Sequence, residues 1–170
     1  IIIVDDGSSD TTINRLKEFL QHYCYACPIT LIEFERGNGP QLSRMRREGR
    51  AATKNDWVVW MDNDVLLKFG DPIEVLQNFW RKYEGLGAIQ PQRVNKQKVF
   101  AANLFDKNLT YIRTRAKDTF QEAMYPEGAF WMSHKSTFDK WNFDPELTSF
   151  EDSDIGYQMF SNGLKIVCLN

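Results

Sequence analysis

The chain has 170 residues, 42% of them hydrophobic and 26% charged, with a formal net charge of −2. That length supports one globular domain over residues 1–170 with a real core, and is too short for two comfortable ones. The near-neutral balance has no long basic tract, so nothing demands a nucleic-acid or acidic-membrane partner. No apolar run reaches the roughly 18 to 20 residues that span a bilayer.

The apolar spacing predicts alternating strands and helices. A strand over 1–5 ends in Asp5 and Asp6, and the turn "GSSD" leads into a helix near 11–23. On that helix Ile13, Leu16, Phe19, Leu20 and Tyr23 share one face, with Asp10 as cap. Cys24 and Cys27 then form a C-x-x-C with Cys168 far away and no histidine at finger spacing, a pattern of ordinary reduced thiols rather than a zinc site. A second strand, "ITLIEFE", follows, and "RGNGP" turns into a helix near 40–53 with Leu42, Met45 and Ala52 inward.

Next, "WVVWMDND" reads as a short strand ending in acids. "GDPIEVLQNFWRKYEGLG" predicts a helix with Asp71 as N-cap, Pro72 at the first position, Glu74 completing a capping box, and Gly85 or Gly87 as terminator. "GAIQPQ" predicts a strand, and residues 94–127 an irregular stretch with short strands in "KVFAANLF" and "LTYIRT". Further on come the strand "EGAFWMSH", a short helix at about 135–141, a helix from Glu151 and the strand "LKIVCL". This alternation predicts an α/β layered fold around a mostly parallel sheet. Neither a G-x-G-x-x-G nor a P-loop pattern is present.

In open α/β sheets ligands collect at the carboxyl ends of strands. Three acidic groups fall at such places: Asp5 and Asp6, Asp62 and Asp64, and Glu151, Asp152 and Asp154 at a helix start. Each alone reads as a turn or cap acid. The D-x-D of Asp62 and Asp64 is more specific, because two carboxylates at a strand end offer hard oxygen ligands to Mg²⁺ or Mn²⁺ and leave the remaining coordination to diphosphate and water.

The ordered segments "IVDDGSSD", "GNGPQLSRMRREGRAATKNDWVVWMDND" and "EGAFWMSHKSTFDKWNFDPELTSFEDSDIGYQMFSNGLKI" resemble the family 2 glycosyltransferases of the GT-A fold, over nearly the whole chain. The resemblance implies an inverting transfer of a sugar from a nucleotide-diphosphate donor to an acceptor hydroxyl, aided by a divalent cation. It implies base and ribose contacts at Asp5 and Asp6, with Asp6 at the base. It gives Asp62 a place near the ribose and donor sugar and as a metal ligand, Asp64 the direct metal contact, and Glu151 and Asp152 the "ED" motif, with Asp152 as general base. A helix N-terminus favours the charged carboxylate that such a base needs. Gly128 and Ala129 match the small residues that line the donor and acceptor pocket, and Arg44 and Arg46 match arginines facing the donor. Arg47 and Arg50 read as a solvated basic face, while Trp131 and Trp141 suit either a sugar platform or the core.

Arg47 and Gln158 depart from residues common in the family, Asn and Arg respectively, and "KWNFDPE" stands in place of "GGFDE". The resemblance also implies a truncated domain. "IIIVDDGSSD" corresponds to the second strand, the expected strand and helix before it are missing, and the chain stops short of a family metal-ligand histidine that neither His22 nor His134 replaces. Unpaired sheet edges then predict poor solubility or inactivity for this segment alone. The acceptor class stays open between a glycan, a lipid-linked and a protein hydroxyl. The expected location is cytoplasmic, or the cytoplasmic face of a membrane if other parts anchor it. Competing readings are a catalytically silent glycan- or nucleotide-binding module of the same fold, and a sugar nucleotidyltransferase, which would want a glycine-rich loop that is absent here.

Overall fold

The computed structural model describes residues 1–22, 27–37, 41–66, 71–91, 93–95, 98–100, 102–105, 111–114 and 120–169. Tyr23, Cys24, Gly39, Pro40 and Gly70, and with them parts of the expected first helix, the C-x-x-C and two expected turns, lie outside the described residues. The chain packs as two compact units, one of Ile1–Lys54 with Phe143–Glu151, the other of Asn55–Asn142 with Asp152–Asn170.

In the first unit, β1 (Ile2–Asp5), α1 (Thr12–His22) and β2 (Thr30–Glu33) form a strand, helix and parallel strand, in register from Ile2↔Thr30 to Asp5↔Glu33. Asp10 caps α1 by accepting from the Thr12 N–H at 2.9 Å, which satisfies one of the donors that a helix start leaves unpaired. Ile13, Leu16 and Leu20 of α1 are half-buried, while Phe19 is largely exposed. The helix α2 (Leu42–Ala51) follows. Its buried residues are Ser43 and Arg46, whereas Leu42 and Met45 are half-buried. A polar pair can occupy the inner face because both side chains find partners in the segment 144–151: Ser43 Oγ donates to the Asp144 carbonyl at 2.5 Å, and Arg46 pairs with Glu151.

The second unit holds a five-stranded sheet built from β3 (Trp57–Met61), β4 (Leu86–Pro91), β9 (Phe120–Ala123), β10 (Phe130–His134) and β11 (Lys165–Leu169), in the order β3-β10-β4-β11-β9. Short strands β5 (Arg93–Asn95), β6 (Lys98–Phe100), β7 (Ala102–Phe105) and β8 (Tyr111–Thr114) pair as two antiparallel ribbons, β5 with β6 and β7 with β8. The sheet is mixed rather than mostly parallel: β10 runs antiparallel to both β3 and β4, β9 antiparallel to β11, and only β4 and β11 are parallel. Apolar periodicity reports which face a strand buries and carries no information on its direction.

The helix α3 (Pro72–Trp80) begins as its sequence dictates, with the Asp71 carboxylate accepting from the Ile73 and Glu74 N–H groups and proline at the first position. It ends at Trp80, earlier than the glycines suggested, and Gly85 turns the chain into β4 at φ +77°. Leu76 of α3 joins Leu86, Ile89, Phe130, Met132, Val167 and Leu169 in one buried cluster. The expected helix at 135–141 is a single 3₁₀ turn, Lys135–Thr137. There the His134 ring accepts from the Ser136 N–H, and Trp141 is drawn into the core with its indole N–H on Thr137 Oγ1 at 3.1 Å. Trp131 and Trp141 are 1% and 2% exposed and cluster with Trp60, so their role is core packing.

The last helix, α4 (Glu151–Ser161), places Gly156 against the segment 124–125. A Cβ there would stand 2.4 Å from the Met124 carbonyl oxygen and 2.4 Å from Tyr125 Cβ. Alanine normally improves a helix by up to about 1 kcal/mol over glycine, but this overlap with backbone cannot be relieved by a rotamer change. Gly156→Ala is therefore expected to destabilise by about 1 to 3 kcal/mol, read as a lowered urea midpoint with unchanged m-value.

Candidate functional site

The turn after β1 separates its two acids by role. Asp5 is used by the turn itself: Oδ2 accepts from the Gly7 and Ser8 N–H groups at 3.0 and 2.9 Å, and Oδ1 from Ser8 Oγ at 2.5 Å. Gly7 must be glycine here, because its φ is +73° and a Cβ would lie 2.4 Å from the Arg36 backbone nitrogen. Asp6 points elsewhere. Its Oδ2 accepts from the Gln41 N–H at 3.1 Å, while its Oδ1 is buried with no hydrogen-bond partner among the described residues. A carboxylate oxygen buried in that way is costly unless a ligand supplies a donor. Asp6 lines an open cleft of about 530 Å³ together with Gly7, Ser8, Ser9, Asp10, Arg36 and Gly37. Arg36 is held over it by donating to Ser9 Oγ at 2.7 Å. Asp10, exposed in the same cleft, has its pKa lowered by its hydrogen bonds with Thr12.

The arginines of α2 divide in the same way. Arg44 is exposed, donates to Gln41 Oε1 at 2.8 Å and lies 4.7 Å from the centre of the Phe34 ring. Arg46 is buried and donates to Glu151 Oε1 at 2.9 Å, both side chains being 9% exposed. Arg46 and Glu151 thus neutralise one another inside the first unit and fix the start of α4. Farther along α2, Arg47 is exposed, and burial lowers the pKa of Arg50, helped by the charge of Arg47.

In the second unit, antiparallel pairing of β3 with β10 places Phe130 opposite Met61, so the next residues outward are Ala129 and Asp62. The Asp62 N–H donates to the Ala129 carbonyl at 2.9 Å, and the Val65 N–H closes a turn on the Asp62 carbonyl at 3.3 Å. This register gathers the half-buried Asp62, Gly128 and Ala129, with Asp64 exposed two residues on. Two hard carboxylates at such a strand end fit a divalent cation that also takes oxygens from a diphosphate. Among the described residues, no group of three or more His, Cys, Asp or Glu side chains could hold a metal by itself.

The turn that presents Gly128 is held from below. The Glu127 N–H donates to Oε1 of Gln90, a side chain 1% exposed on β4. Cys168, beside it on β11, is pushed up to about 12 by burial, with the Glu127 charge adding to the effect and a hydrogen bond with Gln90 opposing it. Cys27 is exposed, and both it and Cys168 are free thiols. At the start of α4, half-buried Asp152 accepts from the Ser153 N–H at 2.8 Å. Asp154 accepts from Gln158 Nε2 at 2.6 Å, and Gln158 also bonds the Asn142 backbone in both directions. Gln158 was marked only as a departure from the family's arginine, and Gln90 not at all, since a search for acids and arginines has no signal for a buried amide.

With this geometry in hand, comparison with known proteins identifies the family. The model of Glycosyl transferase family 2 matches residues 1–141, and the chain belongs to that family. Among solved structures, the chain is similar to the "Crystal structure of GalNAc-T7 with UDP, GalNAc and Mn2+" at a TM-score of 0.73 and 16% identity, over 99% of this chain and 36% of that one. It is also similar to A197 from STIV, at a TM-score of 0.54 and 13% identity, over 99% of this chain and 80% of that one. The chain thus spans about a third of the GalNAc-T7 structure, and at these identities the likeness shows the GT-A fold. No curated protein matches the chain.

Two predictions follow from the buried groups. Glu151→Gln removes the carboxylate charge from the buried pair with Arg46 and is expected to cost about 3 kcal/mol in chemical denaturation, with the double replacement Arg46→Leu, Glu151→Leu recovering much of that loss. The second concerns Cys168, whose folded pKa lies above its unfolded value. The stability it contributes is full below about pH 9 and is lost as pH rises toward 12. At pH 8, in a Cys24→Ser background, iodoacetamide should modify Cys27 and spare Cys168 until denaturant is added, as read by intact mass.

Proposed function

We propose that the chain moves a glycosyl group, with inversion, from a nucleoside-diphosphate sugar to an acceptor hydroxyl. Membership of Glycosyl transferase family 2 supports glycosyl transfer in general. The observation that carries the finer reading is the turn after β3, where Asp62 is hydrogen-bonded to Ala129 and Asp64 stands exposed beside it. In this reading Asp62 and Asp64 hold a divalent cation, and Gly128 and Ala129 leave room for the sugar. The cation, when bound, supplies positive charge against the leaving diphosphate. That the GalNAc-T7 structure contains UDP and Mn²⁺ is consistent with such a donor site.

Asp6 supplies the acceptor for a base N–H through its buried Oδ1, with Asp5 shaping the turn that aims it. Arg44 faces the donor, while Arg46 and Glu151 support the site through their mutual pair. Asp152 acts as base. The acceptor oxygen forms its bond to the anomeric carbon as the bond from that carbon to the diphosphate oxygen breaks. The acceptor proton passes to the Asp152 carboxylate, and the leaving oxygen keeps the bonding pair. Transfer from the face opposite the leaving group inverts the anomeric centre.

The test is a thermal shift of the intact protein against UDP, GDP and dTDP, with and without Mn²⁺ or Mg²⁺, followed by transfer assays with sugars of the nucleotide that binds. Stabilisation by one nucleotide should require the cation and be lost in Asp64→Ala. Asp152→Asn should keep nucleotide binding and lower kcat by about 10²- to 10⁴-fold. A folded protein that no nucleotide stabilises would overturn the reading. Nucleotide binding with full transfer by Asp152→Asn would overturn the role of the base.

A further inference from the structure

Immediately before the "ED" pair, Phe150 combines two features that a folded chain normally avoids. Its φ is +63°, and it is the one non-glycine residue with positive φ among those described. A bulky aromatic in the left-handed region is a genuine outlier, costly enough to persist only where neighbours over-determine it. The residue is also 76% exposed. The strain therefore does not serve to bury the side chain, because the side chain is not buried.

The neighbours that enforce the conformation are identifiable. On the C-terminal side, Glu151 is locked by its buried pair with Arg46. On the N-terminal side, the segment is tied to α2 through Ser43 and the Asp144 carbonyl, and it turns tightly, with the Leu147 N–H on the Asp144 carbonyl and the Glu146 N–H on Asp144 Oδ1. Phe150 lies between these anchors, and its ring is presented to solvent.

We infer that Phe150 is an acceptor-binding residue whose ring takes the apolar C–H face of a sugar ring in the acceptor. This rests on the reading of Asp152 as the base. Two residues of chain span at most about 7 Å, so an acceptor whose hydroxyl is within hydrogen-bond reach of Asp152 lies within reach of the Phe150 ring. A carbohydrate fits better than a purely apolar partner, since it offers a hydroxyl to the carboxylate and a C–H face to the aromatic. An aromatic held out at fixed direction loses little entropy on binding, which is the advantage of building the strain into the fold.

The experiment uses the intact protein, its preferred nucleotide sugar, and a panel of free hexoses, N-acetylhexosamines and their p-nitrophenyl glycosides as acceptor probes. Phe150→Gly removes both ring and strain, and Phe150→Asn removes the ring with a residue that tolerates left-handed backbone. Both should keep the metal-dependent nucleotide shift and raise acceptor KM by roughly tenfold or more, the loss of one buried aromatic contact. Phe150→Gly should melt at or above the parent temperature, and Phe150→Tyr should restore the parent acceptor KM. Saturation-transfer NMR on the best acceptor should show its ring protons receiving magnetisation in the parent and losing most of it in Phe150→Asn.

If the parent transfers sugar and the glycine and asparagine variants keep acceptor KM within about twofold, this inference fails while the proposed function stands. If the parent neither binds nucleotide nor transfers, the proposed function fails and takes the inference with it. A gain in stability for Phe150→Gly accompanied by loss of acceptor affinity would establish that the strain is retained for binding.

Discussion

The buried pair of Arg46 and Glu151 joins residues that are 105 positions apart in sequence. Two charges withdrawn from water must be matched closely or the fold loses several kcal/mol, so the pair dictates where the chain lies on both sides of it. On one side it commits α2 to a polar inner face, in which Ser43 and Arg46 take the places that leucine or methionine would fill in an ordinary amphipathic helix. On the other it fixes Glu151, the residue that opens α4. Phe150 inherits its left-handed backbone from the same anchor. A hydrophobic contact in this place would hold the segments together with less directional demand. The ion pair and its hydrogen bond specify an orientation.

A second constraint works through sheet register. Because β10 runs antiparallel to β3, a residue just before β10 and one just after β3 must emerge at the same sheet end, which brings Ala129 to Asp62 without any side-chain contact being needed. A one-residue slip would turn every β10 side chain to the other face and remove Met132 and Phe130 from the cluster with Leu76 and Ile89. The core therefore protects the position of the acids. Gln90 extends this logic to the loop, since a buried amide accepting from the Glu127 N–H sets the height of the Gly128 turn above the sheet.

Much of the fold was legible because local signals agreed. Asp71, Pro72 and the apolar spacing marked α3, and "WVVWM", "EGAFWMSH" and "LKIVCL" marked strands by apolar runs bounded by turn formers. Strand direction was not legible, and the sheet proved mixed, since the choice between parallel and antiparallel is made by long-range pairing. The interior of α2 was misjudged for a related reason: hydropathy treats Arg46 as surface, and only its distant partner makes burial tolerable. The short helix expected at 135–141 gave way to one 3₁₀ turn because Thr137 and Trp141 satisfy each other in the core. The acids proposed for the site are marked in the sequence by motif and position, but the sequence could not sort those used by the backbone from those left for a ligand.

That sorting is a matter of oxygen atoms. Asp5 has both oxygens engaged by its own turn, and Glu151 has its charge met by Arg46, so each is satisfied before any substrate arrives. Asp6 differs, because one oxygen is used to hold Gln41 and the other is buried and unmatched among the described residues. An acid in that condition destabilises the empty protein and is relieved by a donor group, so part of the desolvation cost of binding has been met during folding. Strain at Phe150 has the same form, with an unfavourable local state maintained by surrounding structure and made useful by a ligand. Acids satisfied within the protein thus fix local geometry and groups left in tension are those a ligand relieves, while in the proposed function the proton transfer itself belongs to Asp152.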